Sequence, residues 1–153
     1  MAKKKYIKVK AEDPVDETMD VGGGRIPPNA LELESKILGS ILIDNQVMND
    51  IVQLLDPKHF YRPSHGIIYQ AMINLDGKKE PVDPNTLKEE LKRLGKLDEI
   101  GGIEYIIELT TSISTSANVE FYTRIVFEKF ILRNLISISS KIADKCFDPT
   151  SNT

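Results

Sequence analysis

The sequence has no apolar run long enough to cross a bilayer, and it has almost no cysteine. Its apolar segments stay short of the 18 or more residues that a membrane-spanning helix needs, and the first ten residues, MAKKKYIKVK, lack the apolar core of a secretory signal. We therefore expect a soluble intracellular protein. The single cysteine, Cys146, cannot form an internal disulfide, and we interpret it as a small buried apolar side chain on a helix.

The common motifs of catalysis, nucleotide binding and metal binding are also missing. Neither Gly77 nor Gly95, each followed by lysine, completes the G-x-x-x-x-G-K-[ST] phosphate cradle, and there is no G-x-S-x-G nucleophile elbow. His59 and His65 stand six residues apart across a proline turn, which is not the spacing of paired metal ligands on a helix. We interpret both as turn or capping residues, and we expect the acidic residues on exposed helix faces.

Positive charge is concentrated at the N terminus. Residues 1–10 contain five lysines and no acid, so the rest of the chain carries 15 basic against 23 acidic residues. A surface of that sign repels phosphate, and we therefore expect no nucleic-acid contact from the folded part. We interpret the lysine-rich N-terminal segment as a solvated tail. Contact of this segment with nucleic acid is the alternative.

Length and composition favour one domain with a real core, because the chain has 153 residues of which 41% are hydrophobic. Residues 1–28, with a glycine triplet at 22–24 and two prolines at 27–28, are predicted to be a disordered tail. Asn29 is predicted to cap a first helix, with Glu32 completing a capping box, and this helix should run to about Ile43. Asp44 is predicted to cap a second helix, which Asp56–Pro57 ends.

The stretch His59–Leu75 joins an aromatic turn to a helix that is apolar on one face. Pro63 suits the first helical position, and Phe60 and Tyr61 can fold back over the first turn. Gly77 is expected to end the helix in a left-handed conformation. The apolar positions recur at helical spacing, which predicts a buried face, and they are Ile67, Ile68, Ala71, Met72 and Leu75.

Three more helices follow. Asp83 is predicted as an N-cap, with Pro84 at the first helical position and Gly95 as the stop. A short helix is expected after Gly101–Gly102, and then a Ser and Thr loop in which Ser116 is a plausible cap.

From Asn118 to Phe147 nothing breaks the helical pattern, and two apolar stripes run along it. A small domain usually covers only one stripe, so we expect the other to face a partner chain or a helix folded back beside it. One stripe contains Tyr122, Ile125, Leu132 and Ile136, and the other Ile131, Leu135, Ile138 and Ile142. The candidate interface consists of Phe121, Tyr122, Ile125, Ile131, Leu135, Ile138 and Ile142.

Four segments, taken in order, resemble the N-terminal domain of the DnaB-type replicative DNA helicases of bacteria. They are RIPPNALELESKILGSILIDN at 25–45, HFYRPSHGIIYQAM at 59–72, EPVDPNTLKEELKRLGKLDEIGGIEYIIEL at 80–109 and TSANVEFYTRIVFEKFILRNLISISSKI at 115–142. Each motif alone is weak, but their joint order and spacing over about residues 25–149 are specific.

The resemblance implies an all-α domain: a small helical bundle as a globular head at 29–116, and a hairpin or long helix at 117–148. For a hairpin, a turn is expected near Phe130 to Asn134, although no Gly or Pro stands there. Residues 149–153 would begin a linker to an ATPase domain, where ATP and magnesium would bind. The parent would be an ATP-dependent DNA-unwinding enzyme of the bacterial cytoplasm, at the replisome.

The function implied is assembly of protomers, as a dimer or hexamer, and recruitment of primase and possibly the helicase loader, with no membrane contact. Two alternatives remain open at this point. One is a free-standing helical DNA-binding protein that binds DNA through the lysine-rich N-terminal segment. The other is the helicase-interacting domain of primase, whose fold is similar.

Overall fold

The computed structural model describes residues 24–150, and that part of the chain is all-helical. The all-α prediction is confirmed. The α-helices are α1 (Leu31–Ile43), α2 (Met48–Ile51), α3 (Pro63–Gly77), α4 (Pro84–Arg93), α5 (Gly102–Thr111) and α6 (Val119–Phe147), with short 3-10 turns at Asn45–Val47 and Pro57–His59. The lysine-rich N-terminal segment and most of the predicted tail lie outside the described residues.

The core is built around α1 and α3. Helix α1 packs against α3, α5 and α6, and α3 packs against α4. The predicted inner face of α3 is buried from Ile68 to Leu75, whereas Ile67 is only half-buried. In α1 the residues Ile37, Leu38 and Ile41 are fully enclosed. We call α1 to α5, with the turns between them, the head.

Local capping chemistry explains several of the helix starts. The carboxylate of Asp83 accepts hydrogen bonds from the N–H groups of Asn85 and Thr86, and Pro84 follows at the first helical position. Pro63 occupies the same position in α3. Asp44 accepts from the N–H of Gln46, so it caps the turn before α2 as predicted.

Four predicted helix ends are wrong. The second predicted helix ends at Ile51, before the stop predicted at Asp56–Pro57. Ala30, not Asn29, is the N-cap of α1, and the Asn29 amide donates instead to the carbonyl of Pro27. Gly77 remains helical, and the left-handed conformation falls two residues later at Lys79, with φ of 62°. Ser116 does not cap α6, because its hydroxyl donates to the Asp44 carboxylate. No side chain caps α1 or α6 in their place, because Ala30 and Asn118 make no side-chain cap hydrogen bond. The predicted capping box is wrong as well, since Glu32 pairs with Lys36.

Helix α6 is continuous. It runs from Val119 to Phe147 without a break, so the turn expected near Phe130 to Asn134 is wrong. The physical reason is the composition of that stretch, which has no Gly or Pro to interrupt the backbone hydrogen bonds. None of the described helices combines the length and the apolar character that a membrane span requires.

Candidate interface on the last helix

The inner face of α6 is buried only along its first half. Val119, Thr123, Val126 and Arg133 are buried, and none of the described residues after Arg133 is. The same face continues beyond Arg133 as Ser137 and Ser140, which are small and half-buried. The final 14 residues of α6, 134–147, therefore extend about 20 Å along the helix with little cover from the head. We call them the arm.

An apolar stripe lies on the opposite side of α6. Its members follow one another at intervals of four, three and four residues, which is the spacing of a coiled-coil seam. They are 40% to 58% exposed, far more than apolar side chains in a core. They are Ile131, Leu135, Ile138 and Ile142, and we call them the seam.

The remaining predicted interface residues do not form one surface with the seam. Phe121 is 63% exposed, but it lies near the start of α6, beside the head. Tyr122 and Ile125 are half-buried, and Tyr122 packs against the core, with the ammonium of Lys36 5.9 Å from the centre of its ring. Two exposed residues were not included in the candidate set, Leu132 and Phe147.

Cys146 also lies on the outer side of α6. It is exposed, so the prediction of a buried thiol is wrong. Cys146 follows Ile142 by four residues, about one helical turn, and it therefore continues the direction of the seam.

Arg133 fastens α6 to the head at the base of the arm. Its side chain is buried, and the guanidinium donates to the carbonyl oxygens of Pro28 and His59, each at 2.8 Å. It also lies over the ring of Tyr61, 5.3 Å from the ring centre, and over that of Phe130, 5.9 Å away. Burial lowers the pKa of Arg133, and the neighbouring charge of Glu34 opposes that effect.

His59 packs beside this contact. Its ring meets Phe130 at 4.3 Å and Phe127 at 5.2 Å between centroids. Its Nδ1 accepts from the N–H of Asp56 at 2.9 Å, which confirms a capping histidine at this position. Burial lowers the pKa of His59, and this favours the neutral ring that such an acceptor requires.

His65 has a different role from the one predicted. It is buried in the first turn of α3, where Nδ1 lies 2.7 Å from the Glu34 carboxylate and Nε2 lies 2.6 Å from the Tyr105 hydroxyl. An imidazole with its proton on Nδ1 satisfies both contacts, donating to Glu34 and accepting from Tyr105. Glu34 also accepts from the N–H groups of Tyr61 and Arg62. These contacts join α1, α3 and α5.

The expectation that acidic residues lie on exposed faces is wrong for Glu34 and Glu90. Both are buried and paired, Glu90 with Lys78 and Arg93. The sequence did indicate that these two glutamates are buried, because each one falls in phase with the apolar face of its helix. Arg133 falls in phase with Val126 in the same way, seven residues on. Charged residues at core positions require buried partners.

Among the residues that the structure describes, no three His, Cys, Asp or Glu side chains are grouped as metal ligands would be.

Comparison with known proteins gives the family. The model of the DnaB-like helicase N-terminal domain matches residues 26–128. The replicative DNA helicase DnaB of Geobacillus stearothermophilus is 42% identical over 119 residues, which are 78% of this chain and 26% of that protein. The chain thus spans about a quarter or less of the length of the curated relatives it matches.

Solved structures agree. The crystal structure of the N-terminal domain of DnaB helicase from Mycobacterium tuberculosis is similar with a TM-score of 0.78 and 36% identity, covering 80% of this chain and 89% of that one. A DnaB-like replicative helicase, described together with its interactions with primase, is similar with a TM-score of 0.63 and 33% identity, covering 73% of this chain and 26% of that one. The chain therefore belongs to the family of DnaB-like helicase N-terminal domains.

Proposed function

We propose that this domain joins copies of its parent chain through the seam on α6. The observation that carries the proposal is the exposure of four large apolar side chains at coiled-coil spacing on the outer side of α6, whose last 14 residues extend beyond the head. Full burial of one such side chain contributes about 1.5–3 kcal/mol. Four of them on each copy supply a driving force for association that the head cannot use.

The wider setting follows from the relatives. Because they are replicative helicases, the parent is expected to be an ATP-dependent DNA-unwinding enzyme, with ATP and magnesium held by an ATPase domain outside this chain. The assembled form would be a dimer or hexamer in the bacterial cytoplasm. Since one similar helicase is described with its interactions with primase, primase is the proposed partner, and the helicase loader is a second one.

The DNA-binding alternative has less support. Outside the first ten residues the chain has more acidic than basic side chains, 23 against 15, so its field repels the phosphate backbone. The primase alternative is disfavoured by the family match, which is to the helicase domain.

Analytical ultracentrifugation tests self-association. Leu135→Asp places a charge in the seam and is expected to lower the mass relative to wild type while leaving the helical circular dichroism unchanged, because the side chain is 56% exposed in one copy. Ala143→Asp is the matched control, since it adds the same charge at an exposed position of the arm that is neither three nor four residues from any seam residue. Equal masses for wild type and Leu135→Asp would contradict the proposal.

Binding to the cognate primase is a separate test. Immobilised wild-type domain should retain purified primase, and Leu135→Asp shows whether retention depends on assembly. Failure of the assembled wild-type domain to retain primase would contradict the partner assignment without affecting the seam.

A further inference from the structure

A buried polar chain runs from α5 to the turn before α3. It begins at the hydroxyl of Tyr105, which is half-buried, and continues through both ring nitrogens of His65 to the carboxylate of Glu34. Glu34 then holds the backbone N–H groups of Tyr61 at 2.6 Å and Arg62 at 3.3 Å. The position of this turn therefore depends on contacts that begin at Tyr105.

The same turn holds Arg133. The carbonyl of His59 accepts a hydrogen bond from Arg133, and the ring of Tyr61 lies against the guanidinium. Glu34 attracts Arg133 through its charge. The contacts of Tyr105 and those of α6 thus meet at residues 59–62.

Arg133 is also the last buried residue of α6. Hydrogen bonds are directional, so a planar guanidinium that donates to two carbonyls is restrained in its orientation. An apolar side chain at this place would permit the helix to tilt, because dispersion and burial have no preferred direction. Arg133 is therefore the buried contact between α6 and the head that lies nearest to the arm.

We propose that Arg133 is the positioning residue of the arm and that the Tyr105–His65–Glu34 contacts set its position, so that a change at the Tyr105 hydroxyl changes the direction of the arm. The inference concerns one copy of the chain and does not need self-association. Its consequence, that the head adjusts how two seams meet, rests on the proposed function.

Distances between two spin labels test the inference. Cys146 is the only cysteine and lies on the arm, so Asp76→Cys, at an exposed position of α3, supplies the second label in the head. Labelled protein is diluted into excess unlabelled protein, so that each measured pair lies within one copy. Cys146 stands about 20 Å from Arg133 along the helix, and a tilt of about 15° moves it by about 5 Å.

Arg133→Met should shift or broaden the distance by about that amount, and Tyr105→Phe should shift it in the same direction by less. The double variant should resemble Arg133→Met alone, since both changes act on one contact. The controls are Arg124→Met, an exposed arginine of α6, and Tyr122→Phe, whose ring contacts Lys36 instead. Both controls should leave the distance unchanged.

An unchanged distance in Arg133→Met would overturn the positioning role, and a shift in Arg133→Met without one in Tyr105→Phe would overturn the connection to α5. If Arg133→Met does not fold, Arg133→Lys takes its place, because it keeps the charge but loses the fork that reaches two carbonyls. Sedimentation of the same samples reports self-association independently. A monomeric wild type would contradict the proposed function and leave the distance result standing.

Discussion

Glu34 on α1 and His65 on α3 form a buried pair, with 2.7 Å between the carboxylate Oε2 and the ring Nδ1. The two residues are 31 positions apart in sequence, and both side chains are almost inaccessible to solvent. Both carboxylate oxygens of Glu34 are engaged, by His65 and by two backbone N–H groups. The pair therefore joins α1 to α3 inside the head.

Removing the Glu34 carboxylate should lower the free energy of unfolding. Glu34→Ala leaves the ring N–H of His65 and the N–H groups of Tyr61 and Arg62 without their acceptor, and a buried donor left unsatisfied typically costs about 1–3 kcal/mol. Urea unfolding followed by circular dichroism measures the change in the free energy of unfolding. Glu32→Ala is the control: Glu32 is exposed and binds only Lys36 in the same helix, so little change is expected. Equal midpoints for both variants would mean that the pair contributes nothing.

Close packing of α1 against α5 should make Gly39 irreplaceable. A Cβ at this position would collide with the carbonyl oxygen of Leu109 and press on the side chain of Ile113. Backbone cannot move aside cheaply, so Gly39→Ala is expected to destabilise the protein by about 1–3 kcal/mol. Thermal unfolding of Gly39→Ala and of wild type measures this difference in stability.

Gly77→Ala is the matched control for that experiment. Gly77 ends α3 with open space around the Cβ position and without a left-handed φ. Alanine there should be neutral or stabilise the protein by up to about 1 kcal/mol. A Gly39→Ala variant as stable as Gly77→Ala would show that α1 and α5 can separate at little cost.

The loss of folding stability at acid pH should depend in part on Glu90. Hydrogen bonds from Arg93, then Lys78, hold the pKa of Glu90 well below its ordinary value of 4.5. A depressed folded-state pKa gives stability that is complete above the unfolded pKa and is lost as the pH falls through the folded one. Glu90→Gln should therefore be less stable than wild type at neutral pH, with the difference narrowing below about pH 4.5.

Unfolding midpoints of both proteins, measured from about pH 7 to about pH 3, follow that difference. Glu89→Gln serves as the control because Glu89 is exposed on the same helix. A difference that stays constant with pH would show that Glu90 does not contribute through its ionised form.

The parts of this fold that depend on local chemistry could be predicted from the sequence. Asp83 caps α4 and Pro63 opens α3 because each acts within three residues of its own position. The outward stripe of α6 was predictable for a similar reason, since helical periodicity alone places Ile131 and Leu135 away from the buried face.

The polar core could not be predicted in the same way. His65 is a candidate for a turn as long as its partners on α1 and α5 are unknown, and their approach is a property of the whole fold. The helical phase of Arg133 indicates a buried position, but its partner Pro28 lies 105 positions earlier and could not be identified from the sequence. The predicted hairpin turn is wrong for a different reason. The resemblance implied a break in the last helix, but the local sequence contains no residue that would interrupt it.

The thiol of Cys146 should become less reactive as copies associate. It is exposed in one copy and continues the line of the seam one turn beyond Ile142, so a second copy that covers the seam should also shield it. We expect the rate of labelling by a maleimide to fall several-fold as the protein concentration rises through the range of association. In Leu135→Asp the rate should stay at the value of dilute wild type, since the seam is no longer covered. A rate for wild type that is independent of concentration, in samples shown by sedimentation to associate, would place the contact on another face of the domain.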